Sequence, residues 1–392
     1  MAWRSVEIQE QRIRFVVAAS RGEHSLSQLC QEFEISRPTG RLWLERYRRW
    51  GVAGVAEQSR RPKSSPSRIA AGIEQRIVEL RGERPDWGAR KLAVLLEWEG
   101  LTVPPATVHR VLRRHQLVHP SDSHSQATGH FCREQPNQLW QMDFKSPKGF
   151  GTAVGPLSVL DDHSRYAVVL EHLPSGTGEH VQARLERAFG ECGLPDAMLM
   201  DHGAPWWNMQ SSGGWTRLSV WVMRLGIRLY FSGYRHPQTQ GKVERFHRSL
   251  EMARRRRGLP EEPHRQAWLD RFREEYNHLR PHEALAMQTP SHFWHPSPRP
   301  YCGAPAEMEY APGSEVHRLL SNGQLWLLGR AWQVAGALAG QRVRLERLDQ
   351  RVLVYFANTL IRELDLAGQG STTVEPCPAN SLHLERMSGD IS

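Results

Sequence analysis

At residue 139 the spacing of apolar residues changes, and no single layer of structure fits both sides of that point. Before it, apolar residues recur every three or four positions, the period that lays a stripe along a helix. Ile8, Ile13, Val16 and Val17 mark the first helix. Leu26, Leu29 and Phe33 mark a short second one behind Ser25 as N-cap. Leu42, Trp43, Leu44 and Tyr47 mark a third behind Ser36. The third also carries Arg37, Arg41, Arg46, Arg48 and Arg49. Short helix, tight turn and basic helix is the arrangement that lays a recognition helix in the major groove of DNA. A three-helix bundle with an ordinary solvated basic face has the same pattern. A helix-turn-helix domain is expected over residues 1–54.

The plan repeats over 70–118. Ile73, Ile77 and Leu80, then Leu92, Leu95 and Leu96, then Val108, Val111 and Leu112 mark three more helices, the last beside Arg110, Arg113 and Arg114. Two such units in tandem read a longer DNA site than one. Between them, 55–69 holds Pro62, Pro66, Arg60, Arg61 and Lys63. That composition suits a basic flexible linker that tracks a phosphate backbone, or an inert spacer. Residues 119–136 read as a second linker. Its His119, His124, His130 and neighbouring Cys132 lack paired CxxC spacing, which disfavours structural zinc.

Beyond 139, LWQMDFK, PLSVLDDHSRYAVVLEHL and DAMLMDHG are short apolar runs separated by turn residues, with a helix at Val181–Phe189. Strands followed by helix-strand alternation predict an α/β layer over 137–298. Two helices complete it, VERFHRSLEMARRRR after Gly241 and one carrying Trp268, Phe272 and Tyr276; Pro/His-rich sequence from Pro281 to Pro300 ends it. Over 299–366 short strands alternate: Val316–Leu320, Leu325–Leu328, Val343–Leu345, Val352–Phe356 and Thr359–Leu364. Asn322-Gly323 is a hairpin signal. A small β-barrel with Arg342, Arg344 and Arg351 outward is expected, and a disordered tail over 367–392.

Composition narrows the class. The 392 residues carry a formal net charge of +9, a weak pointer to a polyanionic partner. No apolar run approaches the ~20 residues of a membrane span, and charges interrupt MAWRSVEIQEQRIRF too often for a secretory signal. Five scattered cysteines without a CxxC argue for a reducing cytoplasm.

Three acids stand out. Asp143 lies inside the first strand, Asp201 ends another after Met198, Leu199 and Met200, and Glu244 opens the long helix. A carboxylate in or beside an apolar strand is costly unless something positive neutralises it. Converging, the three would make an oxygen-donor site for Mg²⁺ or Mn²⁺. Two such ions about 4 Å apart serve in-line phosphoryl displacement without a protein nucleophile. Asp161-Asp162 in LDDHSR reads instead as a turn between strands. Along the helix, Arg248, Glu251 and Arg255 follow Glu244 on one face, beside a stripe of Val243, Phe246, Leu250 and Ala253. Gln238, Gln240, Gly241 and Lys242 precede Glu244, where amides and a lysine can meet a phosphate. Trp206 and Trp207 could stack on an unpaired base, with core packing the favoured use.

LWQMDFK, LDDHSR, MDHGAP, HPQTQGKVERFHRSL and YNHLRPHEAL together closely resemble the DDE integrase core of bacterial insertion-sequence transposases, relatives of retroviral integrases. The resemblance extends over nearly the whole chain. It implies a multidomain protein: a tandem helix-turn-helix α-helical N-terminus, an α/β RNase H-like core of five mixed strands flanked by helices, and a small all-β SH3-like C-terminal barrel. It implies Asp143, Asp201 and Glu244 as the catalytic triad holding two Mg²⁺ or Mn²⁺ ions. Such enzymes cut element ends with water, then use the freed 3′-OH to attack target DNA, as homo-oligomers assembled on double-stranded DNA in the bacterial cytoplasm. Arg37, Arg41, Arg46, Arg48, Arg60, Arg61, Lys63, Arg110, Arg113, Lys242, Arg248 and Arg255 are then the candidate DNA contacts. The chain departs from the pattern in three places. Trp206–Leu218 resembles an insertion of one transposase branch, His202 stands where the family usually has Asn, and Glu251 where it often has Lys or Arg. A catalytically silent copy acting as a sequence-specific DNA-binding protein is the alternative reading, and a nuclease that never joins ends is a third.

Overall fold

The β-branched and aliphatic runs after residue 139 build one mixed sheet, and its strand order decides what lies beside what. In the computed structural model, residues 5–57, 69–118, 132–208, 210–211, 213–232, 241–303 and 307–374 are described. They fall into two compact units, Met1–Ile69 and Ala70–Ser392.

The first unit holds α1 (Ser5–Arg21), α2 (Leu26–Glu32) and α3 (Arg37–Trp50). Ser25 and Gln28 form a reciprocal capping box at α2, and Ser36 accepts the Thr39 N–H at α3, so both expected caps are present. Phe15, Val16, Leu29, Cys30 and Val55 make its core. Gly40 lets α3 approach closely, because a Cβ there would sit 2.5 Å from the Cys30 sulfur. Leu42 does not join that core as its spacing suggests: it is 46% exposed. Trp43 is half-buried, with the Arg12 guanidinium 4.1 Å and the Arg46 guanidinium 5.0 Å from its ring centre. Arg60, Arg61 and Lys63 lie outside the described residues.

The second unit begins with α4 (Ala71–Glu83), α5 (Ala89–Trp98) and α6 (Pro105–Arg114), packed through Ile77, Leu80, Leu92, Leu96, Val108, Val111 and Leu112. The sheet that follows consists of β1 (Trp140–Phe144), β2 (Leu157–Asp161), β3 (Ala167–Glu171), β4 (Ala197–Met200) and β5 (Arg228–Phe231), in the order β3-β2-β1-β4-β5. β2 pairs antiparallel with β1 and β3, while β4 pairs parallel with β1 and β5. Alternation along the strands sends successive side chains to opposite faces. Met142, Val159, Met198 and Leu229 meet α7 (Gly178–Cys192) and α8 (Arg217–Arg224) on one side. Leu160, Ala167 and Leu170 meet α9 (Gly241–Arg257) and α10 (Arg265–His278) on the other.

The helical segment 70–118 is fastened to this core by buried charge. Asp86, its side chain wholly buried, lies 2.6 Å from Arg257 at the end of α9 and 3.6 Å from Arg280 after α10. Arg257 also reaches Glu275 at 2.6 Å.

C-terminally, β6 (Glu315–Arg318), β9 (Arg342–Leu348), β10 (Arg351–Phe356), β11 (Thr359–Asp365) and β12 (Gly370–Thr373) form one antiparallel sheet in the order β12-β11-β10-β9-β6. The all-β character matches expectation; the closed barrel does not. Among the described residues no ladder joins β12 to β6. A separate hairpin, β7 (Gln324–Leu327) and β8 (Arg330–Gln333), lies between them, its Leu325, Leu327 and Trp332 in the same apolar core as the sheet. Single bonds replace ladders there, Leu320 N–H to Gln324 O and Ser371 Oγ to Gln333 O. The hairpin turn is also displaced from expectation. It is Leu328-Gly329, both at positive φ as a two-residue turn of the I′ kind requires, while Asn322-Gly323 makes a turn without paired strands on either side. Arg351 and Glu363 form an ion pair, and the Arg344 guanidinium covers the Tyr355 ring at 4.2 Å. Residues 370–373, expected in the tail, are instead a strand paired with β11.

Among the described residues no helix is long and apolar enough to cross a membrane. Asp86→Ala would leave two buried guanidinium groups short of their carboxylate. Chemical denaturation is expected to show a loss of about 3 kcal/mol, the range for breaking one side of a buried pair.

Candidate active site

β1 is the middle strand, and everything at the site is measured from it. The β1–β4 register pairs Trp140 with Met198 and Gln141 with Leu199. Continued two steps, it brings Asp143 level with Asp201, just past the end of β4. On the other side Asp143 pairs with Ser158 of β2. α9 packs across β1 and β2 through Val243, Phe246 and Leu250, and Glu244 in its first turn is near enough for its charge to act on Asp143.

The electrostatics follow from that crowding. Burial pushes the Asp143 carboxyl up to about 7, reinforced by the charges of Asp201 and then Glu244; the Phe144 N–H and Lys145 offset this only partly. Burial also raises Asp201, against the opposing pull of the Gly203 N–H and of His202. A Cβ at Gly203 would come within 3.0 Å of the Asp201 carboxylate, so glycine keeps that approach open. His202 sits against Trp207 and Phe231 and bonds through Nδ1 to Ser232 O at 2.7 Å, tying the turn after β4 to the end of β5.

One residue escaped the sequence reading. His247, one turn beyond Glu244, places Nδ1 3.8 Å from Asp143 Oδ2 and Nε2 2.9 Å from Ser158 Oγ. Burial lowers its pKa to about 3, so it stands neutral behind Asp143. Its spacing from Glu244, three positions on, was the available signal.

Among the described residues no three His, Cys, Asp or Glu side chains gather closely enough to hold a metal ion. Asp143, Asp201 and Glu244 share one electrostatic neighbourhood without closing into a coordination shell. The donor set nonetheless suits a hard divalent cation. It is all oxygen, and the two half-buried aspartates carry raised pKa values that an added positive charge would relieve.

The candidate DNA contacts divide. Arg37, Arg41 and Arg48 are exposed on α3, Arg113 on α6 and Arg248 on α9. Arg46 leans on Trp43, and Arg110 turns back onto Ala106 O and Thr107 Oγ1 of its own helix. Arg255 and Arg254 each lie 2.7 Å from Glu251, whose carboxyl they hold down to about 2. Lys242 does not face outward: its ammonium is 2.5 Å from the wholly buried Asp162 carboxylate. The turn read at Asp161-Asp162 begins at Asp162, with Asp161 as the last residue of β2; both are buried, and Asp161 accepts from Ser164 and the Asn137 N–H. Trp206 and Trp207 are core residues. Gln238, Gln240, His119, His124 and His130 lie outside the described residues; Cys132 is bonded to Asp162 O and Arg165.

Two models described as an integrase core domain match residues 133–237 and 225–290. A helix-turn-helix domain matches 11–63 and a homeodomain-like domain 39–112. Along the chain, matches to integrase core models thus follow matches to helix-turn-helix models. It is 29% identical over 231 residues to an uncharacterized 31.7 kDa protein of insertion element IS407 from Burkholderia multivorans, covering 56% of this chain and 80% of that protein. Among solved structures, a chain of the simian T-cell lymphotropic virus intasome with the PP2A regulatory subunit B56 gamma is 17% identical, covers 76% of this chain and 96% of its own, and has a TM-score of 0.35. The HTLV-2 integrase catalytic core in complex with magnesium is 18% identical, covers 41% and 99%, and has a TM-score of 0.31.

The raised Asp143 pKa gives the metal-free protein a pH signature. Between about pH 4 and 7 the folded state keeps a proton on Asp143 that the unfolded chain releases, so this residue's contribution falls as pH rises. Subtracting the pH–stability curve of Asp143→Asn from that of the parent is expected to isolate a negative slope, at most about 1.4 kcal/mol per pH unit.

Proposed function

We propose that this chain is a DNA transposase of the insertion-sequence type, catalysing metal-dependent 3′-end cleavage and strand transfer by direct phosphoryl transfer. The observation that carries the reading is the β1–β4 register, which puts Asp143 level with Asp201 and leaves Glu244 near enough for its charge to act on Asp143. The integrase core match and the insertion-element relative support the same reading.

In this reading Asp143, Asp201 and Glu244 hold two Mg²⁺ or Mn²⁺ ions. Bound there, the ions would activate the attacking oxygen and stabilise the leaving one. The chain's own residues position them. The parallel β1–β4 register levels the two aspartates, and α9 carries Glu244 within electrostatic reach of Asp143. Neutral His247 backs Asp143 without competing as a cation. Arg37, Arg41 and Arg48 on α3 would engage the element end, with Arg113 and Arg248 as further phosphate contacts. Homo-oligomeric assembly on double-stranded DNA, in the cytoplasm, belongs to the same proposal. Glu251 and His202 are the two departures that favour a silent DNA-binding copy. At Glu251 the pairing with Arg254 and Arg255 answers the acid with two cations, which weakens that part of the support.

Pre-cut element-end DNA, target DNA and Mn²⁺ form the assay, and joined product is the readout. Asp143→Asn, Asp201→Asn and Glu244→Gln are each expected to abolish joining while binding to end DNA persists. Wild-type joining by all three would overturn the proposal.

A further inference from the structure

The turn between β2 and β3 contains a carboxylate that touches the supports of two of the three proposed catalytic acids. Asp162 has a wholly buried side chain. Its Oδ1 accepts a bond from Gln141 Nε2 at 2.7 Å and lies 2.5 Å from Lys242 Nζ. Its Oδ2 accepts the Arg133 N–H at 2.7 Å. Its own N–H donates to Leu139 O at 2.9 Å, at the entry to β1, and its carbonyl accepts from Lys242 Nζ at 2.9 Å and from Arg165.

The positions of these partners matter. Gln141 is two residues before Asp143 on β1, hence on the same face of the sheet. Lys242 is two residues before Glu244, in the first turn of α9. One buried carboxylate is thus bonded to β1 just ahead of one acid and to α9 just ahead of the other. We propose that Asp162, with Lys242 as its partner, is a positioning residue that sets the separation of Asp143 from Glu244. The proposal rests on reading those acids as metal ligands.

Two physical arguments favour positioning over the phosphate contact that the sequence suggested for Lys242. A lysine in the first turn faces the positive end of the helix dipole, an unfavourable placement. An anion beside that end reverses the balance, and Asp162 supplies one. A phosphate contact also needs an ammonium turned to water, whereas this one is turned into the protein against the Asp162 carboxylate and carbonyl. The base of the clamp is itself fixed, since neighbouring Asp161 accepts from the Asn137 N–H and from both the N–H and hydroxyl of Ser164.

The test uses the full chain and the variants Asp162→Asn, Lys242→Met and Asp162→Asn/Lys242→Met, with Asp143→Asn and Glu244→Gln as references. The double variant leaves neither charge buried alone, so it reports even where a single variant fails to fold. Three quantities are measured: Mn²⁺ affinity by electron paramagnetic resonance, hydrogen exchange of the Arg245–His247 amides in metal-free protein, and affinity for end DNA. Positioning predicts Mn²⁺ affinity lowered about tenfold or more in all three variants, the range for residues that orient metal ligands. It also predicts faster exchange in that turn, end-DNA affinity within about twofold of the parent, and a double variant no worse than the worse single one. Unchanged Mn²⁺ affinity in the double variant, where Glu244→Gln weakens it, would overturn the proposal. So would lost DNA affinity in Lys242→Met that Asp162→Asn does not share, the mark of a phosphate contact. Wild-type Mn²⁺ binding by both Asp143→Asn and Glu244→Gln would instead overturn the reading of the acids, and with it this inference.

Discussion

A carboxylate taken out of water must be met by a cation or by hydrogen-bond donors, and this chain takes several out at once. Asp86 is met by Arg257 and Arg280, and Asp162 by Lys242, Gln141 and a backbone N–H. Asp161 receives only neutral donors, and burial still raises its pKa. The first two choices have a common consequence for α9. Lys242 in its first turn is bonded to the sheet side of the core, and Arg257 in its last turn to the helical segment 70–118. Over 17 residues, about 25 Å at 1.5 Å per residue, the helix that carries Glu244 is held at both ends by buried aspartates. Asp143 and Asp201 are treated differently. Each has at least one backbone N–H donor and a basic side chain nearby, too little to offset burial, so both stay raised.

Much of this was legible in the sequence, and what was not has a physical reason. Helix caps are local, and Ser25 and Ser36 act as their spacing says. Continuous apolar runs are local too, and β1 to β4, buried on both faces along most of their length, fall where those runs lie. The residues misread are those whose role depends on a partner far along the chain. Lys242 looks like a surface lysine at a helix start until Asp162 is folded against it, 80 residues away in sequence. His247 looks like one polar residue on a mixed helix until Ser158 and Asp143 arrive across it. The hairpin turn was misplaced because Asn-Gly is the stronger local signal, whereas tertiary packing of Leu325, Leu327 and Trp332 selects Leu328-Gly329.

The tryptophan-rich stretch after Asp201 shows how an insertion becomes structure. Trp207 and Trp215 form an isolated bridge and pack edge to face, and Gly214 must be glycine, since a Cβ there would overlap the Trp207 ring. Gly213 is crowded from the other side, its would-be Cβ 2.6 Å from Val334 O of the C-terminal segment. Trp206 stacks on Phe144, the residue after Asp143. The C-terminal sheet is therefore in packed continuity with β1 through three indoles. An exposed loop for catching bases would leave the apolar faces of the sheet and hairpin uncovered.

Glu251 illustrates why a charge must be read with its neighbours. An acid facing phosphate repels it, and from sequence alone position 251 puts one on the face of α9 that carries Glu244. In the fold its carboxylate gathers Arg254 and Arg255, and Arg254 in turn lies over Phe150 and against Gly149, where any Cβ would be within 2.6 Å of the guanidinium. The acid thereby draws the β1–β2 connection onto α9. The trio still carries a net positive charge, with Arg255 largely in water. A lysine or arginine at 251 would add charge but would give up the carboxylate that orients both arginines. The substitution moves the positive charge one turn along the helix and uses the acid as its anchor.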